Sequence, residues 1–309
     1  MREEEPWAAD RPFDAEGAKH AVESALPELG SVDVRLLGSG WDFDAFEVNQ
    51  HWVFRFPRRE IVQARLRKDL ALLGWLADHL SAPLPRYEWG ELTAPAFPYV
   101  FSGYQKLMGI QAIEVHLRAV EYEQLGRWLG RFLQRLHALK PPEALLEKAG
   151  LKTGITTSHG CEERLREYLT RLSARVGGPL AMRAQRFFRD EGCVPLPYEG
   201  PLALVHEDCH AGHLLLDPDA PGRVTGILDW SDAWFSDPAQ DFARIFSWGG
   251  DQLLEPMLRG YGAAEPEFRR RARYIGLWLT LKEWAYFDKT GKVAWATHVQ
   301  TTLEEALPH

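Results

Sequence analysis

Cysteine is scarce: Cys161, Cys193 and Cys209 are the only three in 309 residues, an odd number at wide spacings with no CxxC pair. Neither a disulfide framework nor a thiolate zinc site is suggested by that pattern, and a reducing compartment suits the chain. Long apolar runs are missing as well; nothing approaches the roughly eighteen residues that a membrane-spanning helix requires. The N-terminus, Met1-Arg2-Glu3-Glu4-Glu5-Pro6, is acidic where a signal peptide needs a basic start and an apolar stretch. A cytoplasmic, soluble protein with no membrane partner is expected. Positive charge is in deficit, with 36 Lys and Arg against 44 Asp and Glu and a net charge of −8. Such a surface repels a phosphate backbone, so nucleic acid is an unsuitable partner, whereas a cationic substrate would feel a favourable field. Internal repeats, low-complexity tracts and Gly/Ser-rich linkers are absent too.

What is present is apolar content of 45% over a length that suits two lobes sharing a cleft. A helical pattern from Phe13 to Leu29 follows Asp14 as N-cap, and Val32 to Leu37 reads as a strand running into Gly38-Ser39-Gly40. Two β-rich runs, Phe43 to Val48 and Trp52 to Phe56, flank Asn49-Gln50-His51 and predict a hairpin. Helical spacing from Glu60 to Leu80 stops at Pro83 and Pro85, before strand-like text at Tyr87 to Glu91 and Pro98 to Tyr104. Beyond Gln105 the character turns helical. One long helix over Tyr122 to Leu139 carries Leu125, Leu129, Phe132, Leu133 and Leu136 on one face. Further helices are expected at Cys161 to Val176, Leu180 to Glu191, Ala239 to Ser247, Glu265 to Phe287 and Val293 to Ala306, around a β-rich stretch from Leu202 to Leu228. The reading is α+β: a five-stranded N-terminal antiparallel sheet with a packed helix over 1–104, then a mostly helical lobe over 105–309, joined by an extended hinge near Ser102 to Leu107.

The densest ionisable cluster is Leu204-Val-His-Glu-Asp-Cys-His-Ala-Gly-His-Leu-Leu-Leu-Asp217, followed by Thr225-Gly-Ile-Leu-Asp-Trp230. Phosphoryl transfer needs an Asp to accept the acceptor hydroxyl's proton, a second ligand a few residues on, and an Asp after a strand for magnesium. Asp208, His213 and Asp229 occupy those places. The demand is mainly to hold nucleophile and phosphate in line and to neutralise charge, so few groups suffice if they converge.

The pattern His-x-Asp-x-His-x-Gly-His, then Ile-Leu-Asp-Trp, then Asp237-Pro-Ala-Gln-Asp241 resembles the aminoglycoside and macrolide phosphotransferase family, which has a protein-kinase-like bilobal fold. The resemblance covers most of the chain, including Gly38 to Val48, Trp52-Val-Phe-Arg-Phe-Pro-Arg-Arg59 and the helix ending at His137. It implies Asp208 as catalytic base, His213 and Asp229 as Mg²⁺ ligands and Asp241 as an acid bracing the catalytic loop. It also implies a nucleoside triphosphate donor, GTP or ATP with a lean to GTP. Backbone N–H groups of Gly38, Ser39 and Gly40 would cover the phosphates, although Gly-x-Gly alone more often marks a tight turn. Arg55 on the third strand and Asp69 on the next helix stand where kinases place a Lys–Glu pair, and Tyr104 is assigned to nucleotide binding at the hinge. His213, Gly-x-Gly-Trp-Asp and Arg55-x-Pro-Arg-Arg59 are similar to the macrolide branch, implying a monomeric antibiotic kinase whose acceptor is a macrolide sugar hydroxyl beside a dimethylamino group. Glu207 and Cys209 replace the Gly and larger apolar residue usual there, which bears on loop geometry because Gly takes backbone angles that Glu resists.

Other readings stay open. His206, His210 and His213 with Asp208 could form a transition-metal site, though zinc would not account for Asp229. His206 and His210 could equally serve as hydrogen-bonded braces. Trp230, Trp234, Trp248, Trp278, Trp284 and Trp295 read mostly as core and collectively as an apolar pocket wall. Arg269-Arg-Arg-Ala-Arg273 reads as a solvated helix side. An aminoglycoside, amino-alcohol or sugar kinase of the same fold is the main rival function, followed by a non-catalytic nucleotide-binding protein.

Overall fold

The computed structural model describes residues 8–151, 162–190, 198–262 and 266–308. Its contacts divide the chain into two units: Met1–Met108 with Pro141–Leu151 and Leu228–Asp232, and Gly109–Lys140 with Lys152–Ile227 and Ala233–His309.

In the first unit Asp14 caps α1 (Ala15–Ala25), its carboxylate accepting the Gly17 N–H at 2.9 Å. Strands β1 (Val34–Ser39), β2 (Phe43–Val48) and β3 (Trp52–Pro57) follow, then α2 (Gln63–His79), β4 (Tyr87–Ala94) and β5 (Phe97–Gln105). They form an antiparallel sheet in the order β1-β2-β3-β5-β4. Asn49 and Gln50 turn the β2–β3 hairpin with φ of +50° and +61°. Side chains alternate across a strand, and here that decides which way Arg55 faces. Phe54 and Phe56 pack with Ala18, Ala21 and Val22 of α1 and with Phe46, Val48, Phe97 and Phe101. On the other side Phe43 packs with Val62 and with Leu66 of α2. Arg55, between the two phenylalanines, therefore faces α2.

The second unit begins with β6 (Ile110–Gln111) and α3 (Ala119–Ala138); α4 (Glu143–Ala149), next in the chain, packs on α2 in the first unit. Then come α5 (Glu162–Arg175), α6 (Gly178–Asp190), the short strands β7 (Ala203–Val205), β8 (Leu214–Leu216), β9 (Val224–Ile227) and β10 (Trp234–Ser236), and helices α7 (Ala239–Tyr261), α8 (Pro266–Thr290) and α9 (Val293–Ala306). The stripe Leu125, Leu129, Phe132, Leu133 and Leu136 of α3 is buried. Against α7 the two backbones nearly touch: a Cβ on Gly130 would lie 2.0 Å from the Met257 carbonyl oxygen, and one on Gly260 would lie 2.3 Å from that of Arg127. Only glycine fits there. β7 pairs with β10, while β8 lies between β6 and β9, so the loop from β7 to β8 is pinned at both ends.

Several elements differ from the sequence reading. β1 runs to Ser39, so Gly38 and Ser39 lie within a strand whose pairing slips between Leu36 and Gly38. A 3₁₀ turn at Glu60–Val62 precedes α2, and Ser102 to Gln105 of the expected hinge belong to β5. The helix expected to stop at Ser247 breaks at Gly250, φ +53°, and resumes to Tyr261. Neither α4 nor β10 was expected. The arginine run is not simply solvated: Arg271 binds the buried Asp237 at 2.7 Å and lies over the Tyr198 ring, and Arg273 pairs with Asp251 and the Ala306 carbonyl. Trp230, Trp248, Trp278 and Trp284 are core residues and cannot wall a pocket, leaving the half-buried Trp234 and Trp295. Cys161 and Cys193 lie outside the described residues; Cys209 is fully buried, which pushes its thiol well above the ordinary range.

Candidate active site

The first unit gathers a compact set of charges behind its sheet. Arg55, held by β3, forms a close ion pair with Asp69 on α2 and reaches Asp229 Oδ1 at 2.9 Å with its other terminal nitrogen. Asp69 is fully buried and also accepts the Tyr87 hydroxyl at 2.7 Å and the Trp230 N–H at 3.2 Å. Burial alone would lower the Arg55 pKa; the Asp229 and Asp69 carboxylates outweigh it and hold the guanidinium charged. Phe43 closes one face of that guanidinium, 4.0 Å from its ring centre. Tyr104 stands in the same field, its hydroxyl pushed up to about 12 by burial, and its ring meets that of Tyr87 edge-on at 5.3 Å. Asp229 has a left-handed φ of +58° and accepts the Ser231 hydroxyl at 2.8 Å, which turns its carboxylate toward Arg55. Gly38 and Gly40 are exposed at the end of β1, with no positive φ and with room for a side chain, so neither is demanded by local sterics.

In the second unit the loop from β7 to β8 carries Asp208. Asp241, buried at the start of α7, accepts the backbone N–H of His206 at 3.0 Å and of Glu207 at 2.8 Å, and a bond from His137 Nε2 at 3.1 Å. His137 Nδ1 in turn accepts the Tyr261 hydroxyl at 3.0 Å. Within the loop, buried His206 accepts the Asp208 N–H at 3.3 Å and His213 donates from Nδ1 to the Asp208 carbonyl at 2.8 Å. His210 accepts the Gly212 N–H on Nδ1, which leaves its proton on Nε2, 3.8 Å from Asp208 Oδ2. Burial, reinforced by His213, lowers the His210 pKa to about 3, so the ring is neutral at physiological pH. The Asp208 carboxylate stays 24% exposed.

A family model for the phosphotransferase enzyme family, APH, matches residues 33–274. The chain belongs to that family. Uncharacterized protein YcbJ of Bacillus subtilis (strain 168) is 26% identical over 252 residues, 76% of each chain. Among solved structures, the GDP complex of aminoglycoside 2'-phosphotransferase-IIIa superposes with a TM-score of 0.70 at 20% identity, covering 95% of this chain and 98% of that one. Macrolide 2'-phosphotransferase MphH from Brachybacterium faecium, as apoenzyme, gives 0.59 at 24% identity, covering 94% and 99%. These likenesses establish the kinase-like fold of the phosphotransferase family, in keeping with the α+β architecture read from the sequence.

Against that fold, the sequence-derived residues fall into two sets. Arg55, Asp69, Tyr104 and Asp229 come together in one unit; Asp208 and His213 come together in the other. Ligand atoms of Asp208, His210 and His213 lie within 4.8 Å of one another, but the His210 nitrogen nearer Asp208, 3.8 Å away, carries the ring proton when Nδ1 accepts from Gly212. His206 spends its Nδ1 on the loop backbone, so the arrangement is a hydrogen-bonded brace. Asp229 offers the oxygen donors that magnesium takes, whereas His213 offers a nitrogen, a poorer partner for so hard a cation. Sequence reasoning missed Tyr87 and Ser231, which orient the two acids, and Arg244, which reaches the β7–β8 loop from α7. Only Arg244 left a signal, three residues after Asp241 on the same helix.

Proposed function

We propose that this phosphotransferase moves the γ-phosphoryl group of GTP, with ATP as the alternative donor, to a macrolide sugar hydroxyl beside a dimethylamino group. The observation that carries the reading is the Arg55 guanidinium shared between Asp69 and Asp229: a fixed cation for phosphate oxygens, locked to a carboxylate suited to magnesium. Asp208 receives the proton of the acceptor hydroxyl as its oxygen bonds to the γ-phosphorus, while the bond to the β-phosphate oxygen breaks and the nucleoside diphosphate leaves. Asp229, with His213 as the second candidate, would hold magnesium, which would supply charge neutralisation on the phosphate oxygens when bound. Gly38, Ser39 and Gly40 cover the phosphates, and Tyr104 lies toward the nucleotide. We further propose a cytoplasmic monomer with a small-molecule partner only.

The choice of macrolide over aminoglycoside rests on charge. Near Asp208 the half-buried Glu283 already pairs with Arg244 at 3.4 Å. Lys282, its pKa lowered first by burial and then by Arg244, adds a second cation within the electrostatic reach of Asp208. A polycationic acceptor wants a dense acidic cleft; a macrolide with one amine and a large apolar body does not. The half-buried Trp295, whose ring borders Gly212, and Phe287 beside it suit such a body. The test is a panel of macrolides and aminoglycosides with purified protein, GTP and ATP, scored by mass spectrometry. Phosphorylated macrolide is the expected outcome; phosphorylated aminoglycoside with untouched macrolides overturns the assignment.

A further inference from the structure

Glu207, immediately before Asp208, has φ of +68°, a left-handed conformation that residues with a Cβ resist. Three contacts hold it there. Its N–H is bound by Asp241 at 2.8 Å, its carbonyl accepts Arg244 Nε at 2.8 Å, and its carboxylate accepts the Trp234 indole N–H at 2.9 Å. Asp241 and Arg244 are three residues apart on α7, hence neighbours on one helix face, so this face takes hold of Glu207 by its N–H and its C=O together. The same guanidinium continues outward: one terminal nitrogen lies 3.5 Å from Asp208 Oδ1, the other 3.4 Å from Glu283 Oε1. A planar fork with fixed donors is the side chain that can tie a backbone carbonyl and two carboxylates at once.

We propose that Arg244 is a positioning residue for Asp208, coupling the strained carbonyl of Glu207 to the carboxylate one residue on, so that release of one misplaces the other. The proposal rests on the reading of Asp208 as base. It explains why a glutamate tolerates a glycine-like conformation at 207: α7 supplies the restraint that the glutamate's own backbone preferences withhold.

The experiment compares Arg244→Met, Arg244→Lys and the double variant Arg244→Met/Glu207→Gly, with circular dichroism as the folding control. Turnover is read with GTP and the fastest acceptor of the panel above, or with water as acceptor where none is faster. Arg244→Met is expected to lower kcat by about 100-fold, as a displaced catalytic group does, while the nucleotide KM stays within about twofold. Arg244→Lys keeps the charge but not the fork and is expected to recover about tenfold at most. In the double variant, glycine adopts the left-handed angle unaided and kcat is expected to rise at least about tenfold over Arg244→Met. An unchanged kcat in Arg244→Met, or a double variant no faster than the single, overturns the coupling; should Arg244→Met not fold, Arg244→Lys with and without Glu207→Gly carries the same comparison. Asp208→Asn separates the two ideas: if it turns over normally the base reading has failed, and if it is inactive while Arg244→Met is normal only the present inference has.

Discussion

Replacing Arg55 with methionine leaves the fully buried Asp69 with the Tyr87 hydroxyl and the Trp230 N–H but no counter-charge. Breaking a buried ion pair by removing one partner costs about 3–5 kcal/mol. The two surviving hydrogen bonds place this case at the low end, about 3 kcal/mol, and the Asp229 contact adds little because that side chain is 30% exposed and screened. With about 2–4 °C of melting temperature per kcal/mol for a chain of this class, the expected fall is roughly 6–12 °C without nucleotide. The pH dependence has a definite sign. Burial already raises the Asp69 pKa against the pull of Arg55, so the folded state takes up a proton more readily than the unfolded chain. The cost of an ionised Asp69 is therefore complete above the folded pKa and fades as pH falls below it. Without Arg55 that pKa climbs further, and the deficit of Arg55→Met should shrink as pH drops from about 8 to about 5. Adding Asp69→Asn to Arg55→Met should be far less damaging than the sum of the single changes, with a coupling of at least about 2 kcal/mol. Equal stability of Arg55→Met and wild type, or a deficit that does not move with pH, would refute the reasoning.

Asp208→Asn is expected to cut turnover by about 10²–10⁴-fold with nucleotide affinity nearly intact, checked by steady-state kinetics and calorimetric titration of GDP; near-normal turnover removes the base assignment. Asp229→Ala should weaken binding of magnesium-nucleotide at least about tenfold, and calorimetry showing wild-type affinity would remove the metal assignment. Gly130→Ala must push its Cβ away from the Met257 carbonyl, 2.0 Å distant, and thermal melting should register a loss of about 1–3 kcal/mol despite alanine's better helix propensity. Arg271→Ala strands the buried Asp237 and should cost about 3 kcal/mol; a surface arginine would cost close to nothing, so the melt distinguishes the two.

Strands with alternating apolar residues and helices with one apolar stripe were readable because their period is written locally: β2, β3, α3 and α9 need no distant information. The rest depends on partners. Beyond Gly250 the helix from Ala239 resumes to Tyr261, and there Gly126, Gly130 and Gly260 let α3 and α7 approach closely, a contact that no rule confined to residues near 250 contains. β10 is three residues long and exists only because β7 offers it hydrogen bonds. In the arginine run, four like charges on one helix looked solvated, yet Arg271 turns inward to an aspartate 34 residues earlier in the chain.

The site divides along the same line. Asp208, Asp229 and Asp241 could be picked out because their spacing around short strands is a linear pattern. Alternation along β3 likewise puts Arg55 on the face opposite Phe54 and Phe56, where α2 supplies Asp69. Glu207 is the instructive departure. Read alone, it signals a loop that should avoid the left-handed region; the loop enters that region all the same, because Asp241 and Arg244 bind the N–H and C=O of that residue from a helix 34 and 37 positions on. Its backbone angle is thus a property of α7 as much as of residue 207, and substitutions on that helix face should be felt at Asp208 before they are felt in overall stability.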